Sequence, residues 1–163
     1  MIQELTIGVD EARLAADAIF KELTSRDGPV AVAIVDEGGN PVYVVRRDGT
    51  SAVDVRNAER KAYTAAYIGR DTSQYRLQIL HDGRTVADWS NVNMTTLHGG
   101  ITLRREGQVV GGLGVSGSGD EDRDEDLALR GAEAHAALAV ADWLKKRDAR
   151  PVRERVGPER VGR

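Results

Sequence analysis

Residues 109–127 read VVGGLGVSGSGDEDRDEDL, and within them Gly112-Leu-Gly114-Val-Ser-Gly117 is a formal G-x-G-x-x-G. An apolar run precedes it and a helical pattern follows, so its reading separates a doubly wound nucleotide-binding sheet from other architectures. A dinucleotide fingerprint needs a βαβ unit with an acidic residue about 20 positions further on. Here the helical pattern after Gly117 runs on to Pro151 and no second strand follows it. Charge argues the same way: Asp120 to Asp126 holds six carboxylates and one arginine, which would repel a phosphate from the helix start. No Gly-Lys-Ser/Thr follows, so a Walker loop is excluded as well. What remains is a strand, Val109 to Val115, interrupted by Gly111, Gly112 and Gly114. Glycine in a strand marks a close approach of backbone or of ligand. Two occupants are open: the small-faced helix carrying Ala58, Ala62 and Ala65, or a ligand lying on bare main chain.

Upstream, PVAVAIVDEGGNPVYVVRRDG (29–49) is the strongest strand signal. Val30, Val32 and Ile34 point one way, Ala31, Ala33 and Val35 the other, as in a strand central to its sheet. Glu37 to Pro41 supplies the turn of a hairpin. A helix is expected from Val9 to Gly28-Pro29, with Leu14, Ala15, Ala18, Ile19 and Leu23 on its apolar stripe. A second spans 52–69, with Val55, Ala58, Ala62, Ala65 and Gly69 on one face, and a short one spans 71–83. Residues 84–97 show no period. GGITLRREGQVVGGLGV (99–115) gives two strands about Glu106-Gly107, and a long helix covers 122–146. The order α, ββ, αα, ββ, α with short turns predicts an α+β fold, an antiparallel sheet with helices packed on it. One domain over 1–147 is expected, with residues 148–163 as a flexible tail rich in charge and proline.

With no cysteine there is no disulfide, thiolate metal site or cysteine nucleophile. A net charge of −3 without a basic stripe argues against nucleic acid. No run of about 18 apolar residues suggests a membrane span, and the N-terminus does not read as a signal peptide, so a cytoplasmic location is expected. The single phenylalanine leaves the core to Val, Leu, Ile and Ala.

VAVAIVDEGGNPVYVVRRDG, ERKAYTAAYIGRDTS, GGITLRREGQVVGGLGVSG and DEDLALRGAEA together resemble the successive motifs of the GlcG/HbpS/PduO C-terminal family, often called haem-binding. The likeness runs from about Val9 to Trp143. It implies a profilin-like fold, a homo-oligomer, and haem or a related tetrapyrrole as cofactor in a pocket between sheet and helices. Asp36, Gly38-Gly39, Lys61-Ala62, Thr64-Ala65, Gly99-Gly100, Gly114 to Gly117 and Asp124 fall on family motifs. Thr102 departs from them, standing where relatives have proline, which restores a backbone donor and adds a hydroxyl at the expected pocket edge. No histidine lies in the first helix, where some relatives supply an iron ligand.

His81, His98 and His135 are the three histidines. His98, directly before Gly99-Gly100, is the candidate haem ligand or proton carrier, against the plainer reading of a loop histidine. His81 reads as a helix-end residue and His135 as a helix flank or subunit contact. No histidine pair has zinc spacing, and no metal ligands are assigned. His98, Gly99, Gly100, Thr102, Gly112 and Gly114 make the expected cofactor pocket. The alternative is a metal-free enzyme acting on a small carboxylate or carbonyl compound by proton transfer. In it Lys61 and His98 are the catalytic pair and the Gly99-Gly100 N–H groups form an oxyanion site. Lys61 otherwise pairs with Asp36 or Asp54.

Overall fold

A computed structural model describes residues 5–149. The chain runs α1 (Val9–Glu22), β1 (Ala31–Asp36), β2 (Pro41–Arg46), α2 (Ala52–Ile68), α3 (Thr72–His81), a 3-10 turn (Val86–Trp89), β3 (Gly100–Arg105), β4 (Gln108–Ser116) and α4 (Glu121–Asp148). The α+β class is as expected. The four strands form one antiparallel sheet in the order β2-β1-β4-β3. Residues 150–163, most of the expected tail, lie outside the described residues.

Strands β1, β3 and β4 divide their residues by size between two faces. On one face Val32, Ile34, Leu113, Val115, Ile101 and Leu103 pack against α1 and α4, and here the main apolar core sits. On the other, Ala31, Ala33 and Val35 of β1 meet Ala58, Ala62 and Ala66 of α2. The glycines of the opening stretch belong to this thinner layer. A Cβ on Gly112 would stand 2.1 Å from the Ala62 carbonyl oxygen, and one on Gly114 would stand 2.1 Å from that of Ala58. The helix therefore lies on bare strand backbone, and the space between the sheet and α2 is filled by the chain itself. A pocket lined by Gly112 and Gly114 has no room there.

Helix α1 stops at Glu22 rather than at Gly28-Pro29, because Asp27 folds the segment back: its carboxylate accepts from the N–H and hydroxyl of Thr24. Its buried residues are Ala12, Ala15, Ala16 and Ile19, while Leu14 is exposed. Helix α2 is capped by Ser51 accepting from Asp54 N–H and by Gly69 at φ 70°. The β3–β4 turn places Glu106 and Gly107 both at positive φ, the backbone of a two-residue hairpin turn. Among the described residues no helix is long and apolar enough to cross a membrane.

Candidate functional site

Lys61 is 1% exposed. Its Nζ donates to the Val115 carbonyl at 2.8 Å and to Asp124 Oδ2 at 2.9 Å. The other Asp124 oxygen accepts from Ser118 N–H at 3.1 Å. One buried ion pair thus fastens α2 to the end of β4 and to the first turn of α4. Its partner is Asp124, not Asp36 or Asp54. Asp54 instead accepts from Ser51 and Ser116. Gly99 completes the node: at φ +108° its hypothetical Cβ would meet the Val115 carbonyl at 2.8 Å and Lys61 Nζ at 3.2 Å. Only glycine suits both that dihedral and that crowding.

Gly100 N–H donates to Thr72 Oγ1 at 3.0 Å, which leaves it no free donor for an oxyanion. Thr102 points at α2: its hydroxyl donates to the Ala65 carbonyl at 3.0 Å, and its N–H donates to Asp71 Oδ1 at 2.9 Å. The residue that replaces proline is used as a double tie between β3, α2 and the start of α3. Burial pushes the Asp71 carboxyl above the usual range against the pull of that N–H, and the charge of Glu125 adds to the push.

His98 lies elsewhere. Its main-chain N–H donates to Glu121, and its Nδ1 is 3.2 Å from Asp122 Oδ1, with the ring 24% exposed. A ligand atom each from His98, Asp122 and Glu125 lies within 4.8 Å of the other two. His81 is exposed beside Asp82. His135 is buried, and its Nε2 has no hydrogen-bond partner among the described residues.

Two cavities flank the N-terminal half of α2. The first, ≈ 330 Å³, is lined by Asp54, Asn57, Ser116, Asp120 and Asp124 with Lys61 among them. Its only cation is already bonded to Asp124. The second, ≈ 520 Å³, lies between α2 and the β1–β2 turn, with Gly39, Asn40, Arg56, Arg60, Tyr63 and Asn93 on its walls. Arg56 pairs with Glu59 at 2.9 Å. Arg60 makes no ion pair with any described residue. Tyr63 packs under Gly39, receives a hydrogen bond from Asn91 at 3.0 Å, and stacks on Tyr67 with ring centroids 5.5 Å apart. Neither cavity has His98 on its wall. Sequence reasoning missed Arg56 and Arg60. Their one available signal was their i, i+4 spacing on the helix, with Tyr63 one turn beyond Arg60.

Residues 7–133 match the family described as Haem degrading protein HbpS-like. Protein GlcG of Escherichia coli strain K12 is 31% identical over 96 residues, 59% of this chain and 70% of GlcG. A double mutant of HbpS from Streptomyces reticuli superposes with a TM-score of 0.74 at 28% identity, over 82% of this chain and 89% of that one. A PduOC complex with haem gives a TM-score of 0.70 at 25% identity, over 79% and 94%.

Proposed function

This chain belongs to the HbpS-like family, and we propose that it binds haem or a related tetrapyrrole in the cavity between α2 and the β1–β2 turn. The observation that carries this is Arg60, a guanidinium on the cavity wall that pairs with no acid among the described residues. Tetrapyrroles of this class bear carboxylate side chains, and guanidinium is the side chain best shaped to meet them. Arg56, one turn away on the same wall, is already paired with Glu59, which leaves Arg60 as the anchoring cation. Tyr63 offers an aromatic wall, and its hydroxyl is an iron ligand of a type haem accepts. The haem complex of the similar PduOC chain supports the choice of ligand class. When bound, haem supplies redox-active iron; this chain supplies anion recognition, an aromatic wall and the hydroxyl held by Asn91. A cytoplasmic homo-oligomer with a small-molecule partner belongs to the same proposal, and light scattering of the purified protein tests the assembly.

Titration of the purified protein with hemin tests the site. Saturable binding with a shifted Soret band is expected, at least about tenfold weaker in Arg60→Glu, where a charge-assisted contact of ~1.5–3 kcal/mol is lost. Tyr63→Phe is expected to alter the spectrum, and His98→Ala to leave it as it was. No Soret shift in the parent protein sinks the ligand class. Full affinity in Arg60→Glu moves the ligand away from this cavity.

A further inference from the structure

We propose that His98, Asp122 and Glu125 form a binding site for a divalent first-row metal ion at the junction of the loop before β3 with the first turns of α4. One ligand atom of each lies within 4.8 Å of the others, and the Asp122 side chain, 88% exposed, is free to rotate and close the three onto one ion. His98 Nδ1 and Asp122 Oδ1 are 3.2 Å apart. With metal–ligand bonds of about 2.1 Å, that edge subtends roughly 100°, near the cis angle of a six-coordinate ion.

Carboxylates in the first turns of α4 are expected from the helix dipole alone. An imidazole brought to them from another element is not. The surrounding ion pairs sharpen the distinction. Glu121 is matched by Arg76, Asp124 by Lys61, and Asp126 by Arg123 and Arg130. Asp122 meets only His98, and Glu125 meets no lysine or arginine among the described residues. Two carboxylates without a lysine or arginine partner together balance a doubly charged ion. The Ser73 hydroxyl, from α3, donates to Glu125 Oε1, the kind of outer contact that orients a metal-binding carboxylate. One nitrogen and two oxygen donors, with no sulfur, favour manganese, iron(II), cobalt, nickel or zinc over magnesium and calcium. Neither His98 nor the two acids line the cavity of Arg60, so this site is independent of tetrapyrrole binding.

Untagged, chelator-treated protein titrated with Zn²⁺ by calorimetry and with Co²⁺ by visible absorption tests it. One ion per chain is expected, with Co²⁺ bands characteristic of mixed nitrogen and oxygen ligation. Affinity falls by at least about 10- to 100-fold, the loss typical of even an outer contact, in His98→Ala and in Asp122→Asn, and stays unchanged in His81→Ala, the exposed-histidine control. The Asp122 side chain is 88% exposed, so Asp122→Asn keeps the parent melting curve and separates lost ligation from lost folding. Absence of saturable binding of both metals by the parent protein overturns the site. So does parent-like affinity in both substituted proteins.

Discussion

The amino group of Lys61 is almost wholly buried, and two protein oxygens receive its hydrogen bonds. It donates to Asp124 and to the Val115 carbonyl, and Asp124 in turn accepts from Ser118 N–H. A buried pair of this kind adds little over a well-packed apolar substitute, but removing one member strands the other without solvent. Lys61→Met is therefore expected to cost about 3–5 kcal/mol in urea unfolding, and Asp124→Asn a comparable amount. Lys61→Met combined with Asp124→Asn should cost clearly less than the two losses added, because the neutral amide still accepts from Ser118 while no charge is left unpaired. Single losses below about 1 kcal/mol would show that the pair is solvated and the node loose. The same geometry weakens the enzymatic alternative: a lysine bound to aspartate and a Gly100 N–H bound to Thr72 have little left to offer a substrate anion.

Helix α2 is the element on which the molecule turns. Its alanines face the sheet and its arginines face a cavity, and its lysine reaches past the sheet to α4. The close approach rests on glycine: Gly112 and Gly114 present no side chain under the carbonyls of Ala62 and Ala58. A methyl group at Gly114 must lift the helix, since the atoms it meets are backbone and cannot swing aside. Gly114→Ala is expected to destabilise by roughly 1–3 kcal/mol or more, read as a lowered Tm. It should also weaken hemin binding by moving Arg60 and Tyr63 with the helix. An unchanged Tm would mean that α2 does not lie this close. The glycine-rich strand itself was legible from residues alone, as was the failure of its nucleotide reading. Which occupant the bare backbone receives was not, because that depends on the register of a helix about 50 residues earlier.

Across the whole molecule, local signals carried the element order: Pro and Gly punctuation, alternation in β1, and the 3.6-residue period of α2. The exit of α1 was misplaced because a side-chain turn at Asp27 ends it before any glycine. The candidate sites were less legible for a common reason. Lys61 with Asp124, and His98 with Asp122 and Glu125, are joined by tertiary packing across distant positions that no periodicity marks. That packing also sets how the protein meets acid. His135 is buried on α4, with Glu11 of α1 and Arg105 of β3 as its charged neighbours, and burial, more than Arg105, holds its pKa below the usual imidazole value. The unfolded chain thus takes up a proton near pH 6.5 that the folded chain refuses, so stability falls as pH drops below that value. Asp27 acts lower on the scale. Arg123, and after it the Thr24 N–H, hold its carboxyl far below the ordinary range, so the tie between α4 and the α1–β1 turn is complete above about pH 4 and weakens beneath it. Urea midpoints measured from pH 8 to pH 3 should therefore decline in two stages. His135→Leu is expected to flatten the stage below pH 6.5, and Arg123→Ala the one below pH 4. A profile level between pH 7 and pH 5 in the parent protein would place His135 in contact with solvent and remove the first stage.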